Sequence, residues 1–75
     1  MHANPALAST AFLMADPARA AMLMALLDGA ARPAGELAYA AGVTAQTAST
    51  HLAKLRDGGL LQVEAQGRHR YYRLA

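Results

Sequence analysis

The sequence has 75 residues, 55% of them hydrophobic but only 5% aromatic, with a formal net charge of +2 and no cysteine. That length supports one domain with a modest core. The lack of cysteine excludes disulfides, thiol redox switching and thiolate metal sites. No apolar run reaches the roughly 20 residues needed to span a bilayer.

Alanine supplies much of the apolar content and buries little area per residue. The core must therefore rest on Leu, Met, Val and a few rings, and a second subunit is expected to cover part of what one chain leaves open. The stretch through Met14 has no basic leader, so no secretory signal is expected and the expected compartment is the cytoplasm. The charge is unevenly placed. Up to residue 49, Arg19 and Arg32 stand against Asp16, Asp28 and Glu36. From residue 50 on, Lys54, Arg56, Arg68, Arg70 and Arg73 stand against Asp57 and Glu64. A basic C-terminal half points to a polyanionic partner.

Asn4-Pro5 predicts a helix start, with a capping side chain followed by proline at the first helical position. Leu7, Ala11 and Met14 recur at helical spacing, so the first helix runs to Ala15. Asp16-Pro17 repeats the start signal. Met22, Leu23, Leu26 and Leu27 then form an apolar stripe about three turns long that ends at Gly29. Residues 30–34 read as a connector with a short edge strand. A short helix follows from Gly35 to Ala41, with Leu37, Ala38 and Ala41 inward, and Gly42 stops it. Thr44 is the next N-cap, although Thr47 stands where a full capping box has Glu. The helix Ala45 to Arg56 places Ala48, Leu52 and Leu55 on one face, and Gly58-Gly59 ends it. Two runs of alternating residues, Leu61 to Gln66 and His69 to Leu74, flank a glycine turn and predict a β-hairpin. The fold class is mainly α with a β-hairpin, three to four helices in a single domain over residues 1–75.

Two helices joined by a tight turn over residues 35–57 match a helix-turn-helix. The second helix enters the major groove in that arrangement. It needs an apolar inner face and a short, polar outer face. Thr44, Gln46, Thr47, Ser49, Thr50, His51 and Lys54 supply the outer face. Gln46 can pair with adenine, and threonine methyls can touch thymine methyls. The hairpin, residues 60–74, carries Arg68, His69 and Arg70 at its turn, where a wing reaches phosphate or the minor groove. Tyr71 and Tyr72 read as anchors of the hairpin.

Ala15-Asp16-Pro17-Ala18-Arg19 resembles the opening of the second helix in the ArsR/SmtB family of bacterial transcriptional repressors. Ser49, His51 and Leu52 are similar to its recognition-helix core, and Leu55, Arg56, Gly59 and Leu60 to its exit. Gly67-Arg68 through Tyr71-Tyr72-Arg73-Leu74 is similar to its wing. The resemblance implies a winged helix-turn-helix that binds a near-palindromic double-stranded operator as a homodimer. It does not carry the family's metal sites across. Residues 36–40 read Glu-Leu-Ala-Tyr-Ala where metal sensors have a Cys-x-Cys pair, and the chain stops at Ala75, where a zinc-binding helix begins in other members. The family dimerises through its first and last helices, so the stop also suggests a piece of a longer regulator.

His2, His51 and His69 have no ligand spacing. No metal, cofactor or membrane contact is expected. No catalytic residue is expected either, since Ser49 near His51 reads as helix surface. The alternatives are a winged-helix module for protein contacts, which calls for large apolar anchors on the outer face, and a MarR-like regulator.

Overall fold

The computed structural model describes residues 5–75, so the capping role expected of Asn4, like His2, lies outside the described residues. Helix α1 runs Pro5–Ala15 and carries no charged side chain. Helix α2 runs Pro17–Met24. Asp16 caps it, with Oδ1 accepting from the backbone N–H of Ala18 at 2.9 Å and of Arg19 at 3.0 Å. The α-helix stops sooner than the apolar stripe suggests. Residues 25–29 continue as tighter turns, in which Leu26 N–H donates to the Leu23 carbonyl and Leu27 N–H to that of Met24. Arg32 Nε donates to the Ala25 carbonyl at 3.0 Å and ties these turns to the segment that follows. Leu26 stays fully buried, but Leu27 turns out to solvent with 70% of its surface exposed, against its expected place in the stripe.

Strand β1 is the expected short edge strand, Arg32–Pro33, and leads directly into α3, Ala34–Ala41. Pro33 lacks an N–H and is tolerated because the strand lies at a sheet edge. Helix α4 runs Ala45–Asp57, followed by β2, Leu61–Gln66, and β3, His69–Leu74. The antiparallel sheet has the order β1-β3-β2, with Arg32 opposite Tyr72 and Leu61 opposite Leu74. Helices α2, α3 and α4 and strands β2 and β3 send side chains into one core, and Leu13 of α1 packs against it. Met22, Leu26, Leu37, Leu52 and Leu55 are fully buried, and Leu23, Ala38, Ala48, Leu61 and Tyr72 close around them. Leu7, Phe12 and Met14 of α1 remain exposed. Among the described residues no helix is long and apolar enough to cross a membrane.

Candidate nucleic-acid interface

The turn between α3 and α4 is set by Gly42, which adopts φ 66°. This left-handed position costs glycine nothing. It lets Gly42 N–H reach the Tyr39 carbonyl at 3.1 Å and Val43 N–H reach that of Ala38 at 3.0 Å, closing α3. Thr44 then leaves the turn in extended backbone and caps α4, its Oγ1 accepting from Thr47 N–H at 3.2 Å. With 13 residues, α4 is about 20 Å long at 1.5 Å per residue. Ala48, Leu52 and Leu55 bury its inner face.

Thr44, Gln46, Thr47, Ser49, Thr50 and Lys54 are all exposed, as the outer face requires. Their free hydrogen-bonding capacity differs. Thr44 and Thr47 share a hydroxyl–hydroxyl bond of 3.1 Å, so Thr44 is committed to capping. Thr50 donates to the Gln46 carbonyl at 3.3 Å, which leaves its oxygen as an acceptor. The Gln46 amide keeps a donor and an acceptor side by side, the pattern that reads adenine.

His51 departs from the outward reading. Only 16% of its side chain is exposed; Nδ1 lies 3.2 Å from Arg19 Nη1, and Nε2 lies 3.9 Å from Asp16 Oδ1. It follows Ala48 by three residues and so flanks the buried stripe rather than the outer face.

The hairpin turns at Gly67-Arg68. Gly67 has φ 61°, and among the described residues only glycines have a positive φ, as a two-residue loop with glycine first requires. Arg68, His69 and Arg70 are all exposed at this tip. Arg70 stands opposite Ala65, and the His69 ring meets Tyr71 edge-on at 6.5 Å. Tyr72 is buried and anchors the hairpin.

The ion pairs sort the cations. Arg32 pairs with Asp28 and Glu36, Arg56 with Asp57, and Arg73 with Glu64. Asp28 stays below the usual carboxylate range because Ala30 N–H and then Arg32 donate to it. Arg19 is buried and bonded to the Leu13 carbonyl. Lys54, Arg68 and Arg70 have no acidic partner among the described residues. These three cations sit on the exposed face of α4 and at the hairpin tip.

A helix-turn-helix domain family matches residues 14–64. The HTH-type transcriptional regulator CmtR of Mycobacterium tuberculosis is 44% identical over 70 residues, 93% of this chain and 58% of CmtR. The chain belongs to the helix-turn-helix transcriptional regulators of the ArsR/SmtB type. The family is one of DNA-binding transcriptional regulators, as the sequence resemblance implies. It is also 54% identical over 72 residues to the uncharacterized HTH-type transcriptional regulator YdfF of Bacillus subtilis, 96% of this chain and 32% of YdfF. It therefore spans about a third to three fifths of the curated relatives' length. Among solved structures, the homodimeric winged helix-turn-helix DNA-binding domain of Mb0332 from Mycobacterium bovis is similar at TM-score 0.83 and 31% identity, covering 93% of this chain and 64% of that one. The cadmium metal-sensor CmtR from Mycobacterium tuberculosis is similar at TM-score 0.72 and 43% identity, covering 91% of this chain and 70% of that one.

Proposed function

We propose that this chain binds a near-palindromic double-stranded operator as a homodimer in the cytoplasm and represses transcription by occupying that DNA, without catalysing a reaction. The helix-turn-helix comprises residues 35–57 and the wing residues 60–74. The observation that carries the reading is that Lys54 on the polar face of α4 and Arg68 and Arg70 at the hairpin tip are exposed and have no acidic partner among the described residues. Gln46, Thr47, Ser49 and Thr50 meet base edges in the major groove, with Thr44 holding the end of the helix that enters first. Lys54 meets phosphate, and Arg68, His69 and Arg70 meet phosphate or the minor groove. The two copies read half-sites about 10 base pairs apart, one turn of the duplex. The alternative use of α4 for protein contacts lacks large apolar anchors on that face.

The test is fluorescence anisotropy against a duplex selected from random DNA, repeated over a range of salt. Arg68→Ala with Arg70→Ala should weaken binding to every sequence and reduce the salt slope by about one unit per lost phosphate contact. Lys54→Ala should do the same on a smaller scale and leave the selected motif unchanged. An unaltered salt slope in both variants would remove the phosphate contacts from the reading.

A further inference from the structure

Arg19 is the buried charged side chain among the described residues, with 5% of its surface exposed. Three helices meet at its guanidinium. Nε donates to the Leu13 carbonyl of α1 at 2.7 Å, and the guanidinium carbon lies 5.8 Å from the centre of the Phe12 ring. Nη1 lies 3.2 Å from His51 Nδ1 of α4. Arginine has donors and no acceptor, so Nδ1 must accept, and the imidazole carries its proton on Nε2. Nε2 in turn faces Asp16 Oδ1 at 3.9 Å.

The contact sits halfway along α4, on the flank that His51 shares with Thr47 and Lys54. Ala48, Leu52 and Leu55 hold α4 by apolar contact, which is non-directional and tolerates a small roll of the helix. A hydrogen bond is directional and does not. We propose that Arg19 and His51 are positioning residues for DNA reading: their hydrogen bond, which only a neutral imidazole can accept, sets the roll of α4 and registers Gln46, Ser49 and Thr50 with the base edges. This rests on the DNA-binding reading above. Protonation of His51 turns an N–H toward the guanidinium and sets two cations against each other, while Asp16 draws the ring away. The charged groups facing the ring are Asp16 and Arg19 from α2, with Lys54 one turn on along α4. Helix α1 contributes the Leu13 carbonyl and the Phe12 ring and has no charged side chain.

The experiment uses a parent carrying His2→Gln and His69→Gln, because a protonated wing histidine would strengthen DNA binding and mask the effect. Affinity for the selected duplex is measured at constant salt from about pH 8 to about pH 5.5, the span in which histidine as a class changes charge. The parent should lose about tenfold in affinity, the size of one hydrogen bond to a charged group. His51→Asn, whose amide oxygen can accept from Arg19 without titrating and whose helix propensity is similar, should hold a level profile near the parent's affinity at the upper pH. His51→Leu should lose about tenfold for the selected duplex at every pH but keep its binding to random DNA. A flat parent profile, or an Asn variant that falls in parallel with the parent, overturns the proposal. A parent that selects no duplex at all overturns the DNA reading, and this proposal with it.

Discussion

Helix α1 and the end of the molecule formed by α4 and the hairpin tip are both unfinished, in opposite ways. Helix α1 has no charge and leaves Leu7, Phe12 and Met14 exposed, so what it lacks is apolar cover. The other end exposes Gln46, Ser49, Lys54, Arg68 and Arg70, so what it lacks is an anion with hydrogen-bonding edges. On the reading proposed above, one surface takes a second copy of the chain and the other takes DNA. The difference teaches that an exposed residue is informative through its chemistry: bare apolar rows call for burial, and bare cations call for phosphate.

The largest expected effect removes the support that both surfaces share. Leu52 is fully buried beneath α4, and Leu52→Ala should cost about 2–5 kcal/mol in denaturant unfolding, disabling dimerisation and DNA binding together. A variant that lost DNA binding alone would show that the two surfaces do not hang on one core. Gln46→Ala should act on one surface only. It should cost about 1–3 kcal/mol at a single base position in a binding selection and leave sedimentation unchanged. Met14→Asp should do the reverse, raising the dimer dissociation constant about tenfold by sedimentation while the monomer melts as before, since burying one unpaired carboxylate is worth at least that much.

How much of this division is legible in sequence depends on the range of each interaction. The element order, the Gly42 turn, the Thr44 cap and the alternating hairpin all follow from local spacing, and the structure has them. The hydroxyl bonds of Thr47 and Thr50 also follow from positions three and four residues apart, where short polar side chains turn back onto their own helix. The early end of α2 is less legible, because the apolar stripe runs on through Leu26 and Leu27 while the backbone tightens to bonds on the Leu23 and Met24 carbonyls. Nothing local marks His51 as inward. Its partner Arg19 lies 32 residues away, and a histidine one step off the apolar stripe reads equally well as surface. The flank position beside Ala48 and Leu52 was the available signal.

The smallest expected effect lies at the joint between the two surfaces. The Asp16 carboxyl sits below its usual range, chiefly because the Arg19 backbone N–H donates to it, with further help from Ala18, His51 and the Arg19 charge against the cost of desolvation. A carboxyl lowered in the folded state adds stability above its unfolded pKa, and that stability is lost as pH falls through the folded value. Asp16→Ala should therefore lower the melting temperature by a few degrees at neutral pH. The gap to the unaltered protein should narrow on acidification below about pH 4, where carboxylates of this type take up protons. A gap that stays constant into acid would mean that the carboxylate charge contributes nothing to the cap.

The sheet order gives the hairpin a gradient along its length. Midway along it, Tyr71 and Tyr72 have neighbours on both sides, β1 on one and β2 on the other. Toward the tip, Ala65 with Arg70 and Gln66 with His69 form a two-stranded ribbon. Amide hydrogen exchange should follow that boundary, slow at Tyr71 and Tyr72 and fast from residue 65 to residue 70, because a lone ribbon opens at little cost. The cations of the tip thus ride on the segment of the hairpin that opens most readily. Contact with a nucleic acid would be read as slowed exchange there, while Tyr71 and Tyr72, already protected, would change little.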